Sequence, residues 1–134
     1  MNRLPFVLFG AIIGLMGGFS FGMVVFPWVA DQVMPDLPIQ FYRNIAGVGP
    51  ALALLWIPAG ALAAYWGGAQ RGAITMGIGG LIAGGLTGAI VAPGSHFLPL
   101  TGLAGGLGLL YGAGAGLLIG GGLPSAELIP PSKK

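Results

Sequence analysis

The sequence has few charged residues: Asp, Glu, Lys and Arg make up 6% of its 134 residues, against about 25% in soluble domains. These residues and the single His separate four charge-free stretches, 4–30, 45–70, 72–95 and 97–126. Each stretch exceeds the roughly 20 apolar residues that cross a bilayer as a helix. Backbone groups in hydrocarbon must be satisfied internally, which such a segment does as a helix. The sequence therefore predicts an all-α integral membrane protein with four transmembrane helices.

Cysteine is absent, which excludes disulfides, thiolate catalysis and cysteine-ligated metal sites. One His and three acidic residues cannot supply a paired-carboxylate, nucleophile–base or metal-cluster site. Ion and proton carriers place ionisable residues inside the membrane, and the charge-free stretches contain none. We therefore expect no enzymatic activity, no intrinsic metal or cofactor and no nucleic-acid binding.

The mean hydropathy is +0.92. Four spans also occupy about two-thirds of the 134 residues, which leaves no room for a soluble domain. We predict one membrane domain over 1–134, with helices at about 4–29, 45–68, 72–93 and 98–122. An outer interfacial loop at 31–44 and a basic, proline-rich tail at 123–134 complete it. The first apolar run is longer than the hydrophobic region of a signal peptide, so we expect it to remain as a helix.

The few basic residues predict the orientation. Four helices place both termini on one side, together with the turn at 67–72. That side carries Arg3, Arg71, Lys133 and Lys134 against Glu127, while the other carries Arg43 and His96 with Asp31 and Asp36. Lys and Arg near helix ends favour the inner side of a membrane. We predict an N-in, C-in protein of a bacterial inner membrane or an organellar inner membrane.

Glycine is abundant, with 28 residues in the chain, and many are four residues apart. This spacing places small residues on one face of a helix. Such a face lets the backbone of another helix approach closely in lipid. We predict glycine-zipper helix packing through Gly10, Gly14, Gly18, Gly22, Gly80, Gly84, Gly88, Gly108, Gly112, Gly116 and Gly120.

Two uses of these glycine grooves remain open. They could serve only to pack the four helices of this chain together, or at least one could accept a group from outside. The candidates for that group are another subunit's helix, a lipid, a quinone or a pigment tail. The partners predicted from the sequence are accordingly other membrane subunits and lipids.

Two features outside the spans are candidate sites. The loop at 31–44 is apolar, and we predict contact with a partner through Trp28, Leu37, Phe41 and Tyr42. His96 lies in the second outer turn, where it is a candidate ligand of a haem or chlorophyll-type metal. The alternative for His96 is an interfacial hydrogen bond.

Two functions follow. The first is a non-catalytic accessory subunit of a larger membrane complex. The preferred class is an energy-transducing complex, either a respiratory one that carries out electron transport or a photosynthetic one. The second is a small homo-oligomeric channel or transporter. Its pathway would be lined by glycine backbone and by Ser20, Thr75, Thr87 and Thr101.

Overall fold

The computed structural model describes residues 2–123, and this range is helical apart from short connections. Four of its helices are long and apolar enough to cross a membrane: α1 (Leu4–Val33), α2 (Ile39–Trp66), α3 (Ala69–Val91) and α4 (Gly94–Gly121). The all-α fold class and the four apolar helices are thereby confirmed. The predicted tail at 123–134 lies outside the described residues except for Leu123.

The predicted bounds of the first loop, 31–44, are wrong, because only residues 34–38 separate α1 from α2. Pro38, with φ of −70° and ψ of 154°, is the N-cap of α2, a helix end at which proline is well tolerated. Phe41 and Ile45, one turn apart, are buried. Phe41 meets the ring of Phe26 edge-on, with 5.7 Å between the ring centroids. Residues 39–44 therefore extend α2 by more than one turn, with Phe41 in the core and Ile39 exposed.

A π-helical turn at Phe21–Val25 interrupts α1 between the α-helical parts Leu4–Ser20 and Phe26–Val33. The N–H of Phe26 donates to the carbonyl of Phe21, as in an i to i+5 pattern. The turn stacks the rings of Phe21 and Phe26, which are 6.0 Å apart and nearly parallel, and both side chains are fully buried. Pro27, the residue after Phe26, has no N–H to donate to the helix. The π turn thus directs two large aromatic side chains into the core.

Helix α2 contains Pro50 and Pro58 and continues past both to Trp66. The chain tightens into a 3₁₀ turn at Ala53–Leu55, between the α-helical parts Ile39–Leu52 and Trp56–Trp66. Each proline removes one intrahelical hydrogen bond. Helices bend at such positions. The side chain of Trp56, directly after the 3₁₀ turn, is buried.

The four helices form two antiparallel pairs. Helix α1 packs on the second half of α2, helix α3 packs on α4 along its length, and the pairs meet where α2 contacts α3. The turn between α2 and α3 contains Gly67 and Gly68, with φ of 65° and 87°, which favour glycine. The N–H of Gly68 donates to the carbonyl of Gly120 at 3.0 Å. This bond holds the end of α4 beside the start of α3.

The charged and amide side chains of the described residues lie at two ends of the bundle. At one end, which we call the basic end, Arg3 donates to the Tyr65 carbonyl, and Arg71 is in the first turn of α3. At the opposite end, Tyr42 Oη donates to Asp31 Oδ1 at 2.7 Å, and Asn44 Nδ2 donates to the Val91 carbonyl at 3.0 Å. The apolar part of each helix lies between these ends.

Candidate functional site

Glycines line the contact between α3 and α4. A Cβ atom added to Gly80 would lie against the carbonyl oxygen of Gly108, far inside van der Waals contact, and the reverse holds for Gly108 and Gly80. At Gly84 an added Cβ would be 3.1 Å from the Ala104 carbonyl carbon and 3.1 Å from the Gly108 Cα. Similar close approaches pair Gly88 with Leu100, Gly112 with Met76, Gly116 with Gly72 and Gly120 with Gly68. Any side chain at these positions would force the two helix backbones apart.

The contact between α1 and α2 is built in the same way. An added Cβ on Gly14 would be 2.5 Å from the carbonyl oxygen of Trp56. Gly10 faces the backbone of Gly60 and the side chain of Ala64. Gly22, farther along α1, has more room, because the nearest atom to its added Cβ is the Gly49 carbonyl oxygen at 3.8 Å. The tight part of this contact therefore extends from Gly10 to Gly18.

Trp56 lies where the two helix pairs meet. An added Cβ on Gly18 of α1 would be 2.5 Å from Trp56 Cδ1, and one on Gly80 of α3 would be 3.1 Å from Trp56 Cη2. The indole also lies 5.2 Å from the ring of Phe21 and 6.0 Å from that of Tyr111, between centroids. Glycines on two helices thus provide the space that one large side chain of a third helix fills.

A second row of α4 residues points away from the bundle. Gly102, Gly106 and Gly114 have no atom within 4 Å of an added Cβ, so they face open space. Four-residue spacing places them in line with Leu98, Leu110 and Leu118. These leucines are 78%, 71% and 81% exposed, more than any other large apolar residue in the described part of the chain. We call this row, Leu98, Gly102, Gly106, Leu110, Gly114 and Leu118, the outer face of α4.

The four residues predicted to contact a partner through the first loop divide into two groups. Leu37 and Phe41 are buried at 9% and 0% exposure, so their side chains are part of the core of this chain. That part of the prediction is corrected, because the segment folds back as helix against Phe26. Trp28 is 65% exposed and Tyr42 36% exposed, and these two stay available on the surface.

His96 lies in the 3₁₀ turn Gly94–His96 at the start of α4. Its Nδ1 is 3.0 Å from the Ser95 hydroxyl oxygen. Within residues 2–123, no group of three or more His, Cys, Asp or Glu side chains is placed to hold a metal ion. The described geometry therefore gives His96 a hydrogen-bond partner in the neighbouring Ser95, and both the interfacial role and the ligation of a metal stay predictions.

Two threonine hydroxyls, one buried and one at the surface, bond to carbonyls of their own helices. Thr87 is the one buried polar side chain of the described residues, and its Oγ1 donates to the Ala83 carbonyl at 2.7 Å. Thr101 Oγ1 donates to the Phe97 carbonyl at 2.6 Å. These bonds are made within α3 and α4, so both hydroxyls have partners inside their own helices.

Several residues of these contacts were not among the predicted packing positions. Gly72 lies in the row of Gly80, Gly84 and Gly88, and an added Cβ would meet the Gly116 carbonyl. Gly60 is the partner of Gly10 and Gly14 on α2, where the small-residue pattern is weaker. The outer face of α4 has the same four-residue spacing as the row of Gly108, Gly112 and Gly116, but displaced by two residues along the chain. This second, displaced row is the sequence signal that could have identified the outer face.

No protein-family model, no curated protein and no solved structure matches the chain.

Proposed function

We propose that this protein is a non-catalytic accessory subunit of a larger membrane complex, and that the outer face of α4 binds a transmembrane helix of another subunit. The observation that supports this is the pair of opposed rows on α4. The row that contains Gly108, Gly112 and Gly116 is covered by α3. The row that contains Gly102, Gly106 and Gly114 is not covered by any described residue.

The shape of the outer face suits a helix better than fluid lipid. Glycines let two helix backbones approach closely, which is how helices associate in a bilayer. The exposed leucines before, between and after these glycines would pack along the partner helix, so that large side chains alternate with glycines along the contact. The same chemistry joins α3 to α4 within this chain, which makes a glycine zipper our proposed mode of packing at both faces.

The proposal includes the setting of the complex. Arg3 and Arg71 share one end of the bundle, and Asp31, Asp36 and Arg43 lie at the other. The positive-inside rule then gives an N-in, C-in orientation in a bacterial or organellar inner membrane. An energy-transducing complex, respiratory or photosynthetic, is the class that we propose for the larger assembly.

The test compares Gly106→Leu with Gly47→Leu. Both glycines are exposed and have open space around them, but Gly47 is on α2 and away from the outer face of α4. We expect the native complex, isolated in mild detergent, to lose this subunit in Gly106→Leu and to keep it in Gly47→Leu. Native gel electrophoresis with mass spectrometry of the co-purified proteins measures both the retention and the class of the complex.

Two results would overturn the proposal. Retention of Gly106→Leu in a larger complex, at the stoichiometry of the unmodified chain, would show that the outer face is not the contact. An assembly that contains this chain alone, as a symmetric oligomer that conducts in liposomes, would favour the channel or transporter instead.

A further inference from the structure

A groove extends along the surface between α2 and α3, away from both rows of α4. It has a volume of about 400 Å³. Its walls are almost entirely apolar, and they include Leu55, Pro58 and Leu62 of α2 and Ile74, Ile78 and Ile82 of α3. Along this groove Ala59 of α2 and Gly79 of α3 approach each other closely.

The groove ends in a polar site at the basic end of the bundle. A second cavity of about 380 Å³, lined by Trp66, Arg71, Ile74 and Thr75, continues the first and shares Trp66, Ile74 and Thr75 with it. Arg71 carries a positive charge, and the Thr75 side chain adds a hydroxyl donor. Trp66 is 41% exposed and belongs to a residue type that is enriched at membrane interfaces.

The backbone adds positive character at the same point. Arg71 lies in the first turn of α3, which begins at Ala69 and has no side-chain N-cap. The unsatisfied N–H groups of a helix start favour an anion. A guanidinium has five N–H donors, so Arg71 can bind a phosphate oxygen while it keeps another contact.

The length of the groove fits one leaflet of a bilayer. From Arg71 to Ile82 on α3 the rise is about 16 Å, and from Trp66 back to Leu55 on α2 it is about the same. The hydrocarbon core of a bilayer is about 30 Å thick. The groove thus extends from the interface to about the bilayer midplane, with its positive end at the interface.

We propose that this groove binds one anionic phospholipid, with the phosphate at Arg71 and Thr75 and an acyl chain between α2 and α3. An amphiphile with a negative head and an apolar tail matches a groove that is cationic at one end and apolar along the rest. Basic pockets between transmembrane helices bind anionic headgroups in the same way.

The first test measures lipid binding to the purified full chain in non-ionic detergent by native mass spectrometry and thermal unfolding. We expect phosphatidylglycerol to bind and to raise the melting temperature more than phosphatidylcholine does. Arg71→Gln should lower the affinity for phosphatidylglycerol about tenfold, because a charge-assisted hydrogen bond is lost. Arg43→Gln, which removes an exposed arginine at the other end of α2, is the matched control and should bind as before, while Arg71→Lys should restore part of the preference.

The second test concerns the tail of the lipid and does not depend on Arg71. Ile78→Trp should fill the groove and reduce phosphatidylglycerol binding. Ile90→Trp, at a similarly exposed position of α3 outside the groove, should not. Inorganic phosphate alone should give little stabilisation, because it has no acyl chain to bury.

Three results would overturn the proposal: equal losses in Arg71→Gln and Arg43→Gln, unchanged binding in Ile78→Trp, or stabilisation by inorganic phosphate equal to that by phosphatidylglycerol. The measurement uses the isolated chain, so its outcome is independent of whether α4 binds another subunit.

Discussion

At the residue scale, glycine has two different roles in this protein. Where a glycine faces another helix of the chain, as Gly80 faces Gly108, the missing side chain is space that a backbone carbonyl occupies. Where it faces outward, as Gly106 does, no described atom occupies that space. A substitution should therefore destabilise the protein at an inward-facing glycine and be tolerated at an outward-facing one, although both positions have the same four-residue spacing.

We predict that Gly80→Ala destabilises the bundle by about 1–3 kcal/mol, because its methyl group would overpack against the Gly108 carbonyl. Gly106→Ala should be neutral or stabilising by up to about 1 kcal/mol, since alanine has the higher helix propensity. Reversible unfolding in mixed micelles measures both free energies. Equal effects of the two substitutions would contradict the inner and outer assignment of the two rows.

At the scale of the helices, polar side chains fasten helix ends. Asn44, which is half-buried in α2, donates to the Val91 carbonyl near the end of α3. The last carbonyls of a helix have no intrahelical partner, and in a bilayer such groups are costly to leave unpaired. Gln40 donates in turn to Asn44 Oδ1 at 3.0 Å, which orients the amide. The start of α2 at 39–44, which lies in the predicted loop, thus supplies the residue that closes the end of α3.

Asn44→Leu should therefore cost about 0.5–1.5 kcal/mol of unfolding free energy, the range expected for one hydrogen bond. The exposed Gln32→Leu at the same end of the bundle is the control and should change stability by less than about 0.5 kcal/mol. Hydrogen exchange of the Asn44→Leu protein should also rise near Val91. If exchange there stays as in the unmodified chain, the Asn44 bond is not what secures this helix end.

At the scale of the whole molecule, two helix pairs are joined through aromatic residues. Phe21, Trp56 and Tyr111 come from α1, α2 and α4, and their ring centroids lie 5.2 to 6.0 Å apart. The ends of the bundle differ in charge, with Arg3 and Arg71 at one and Asp31 and Asp36 at the other. This asymmetry is the basis for the proposed orientation.

A labelling experiment tests that orientation. Gln70→Cys lies at the basic end and Ser95→Cys at the opposite end, and both positions are exposed. An impermeant maleimide added to sealed, right-side-out vesicles should label Ser95→Cys, and Gln70→Cys should react only after the membrane is opened. Labelling of Gln70→Cys alone from outside would reverse the orientation, and labelling of both from one side would contradict four spans.

Charge and hydropathy alone determined that there are four apolar helices, because each segment meets the demand of the hydrocarbon phase locally, without reference to its neighbours. The four-residue spacing likewise predicted that one row of α4 would be free of side chains. The loop at 31–44 could not be read in this way. Its apolar residues suit an interface or a core equally well, and only the tertiary contact with Phe26 placed Phe41 in the core, while Val33 and Ile39 stay exposed.

Tertiary structure also decided which glycines pack inside the chain. On α4 the rows at 104, 108, 112 and at 102, 106, 114 have related spacing and similar residues, so no local property separates them. Their roles differ because the backbone of α3 lies against the first row and no described residue covers the second. The place of Trp56 between Gly18 and Gly80 depends on the same long-range geometry. Close packing of this kind depends on the positions of two or three helices at once, so the residue pattern along one helix cannot predict which of its rows is packed.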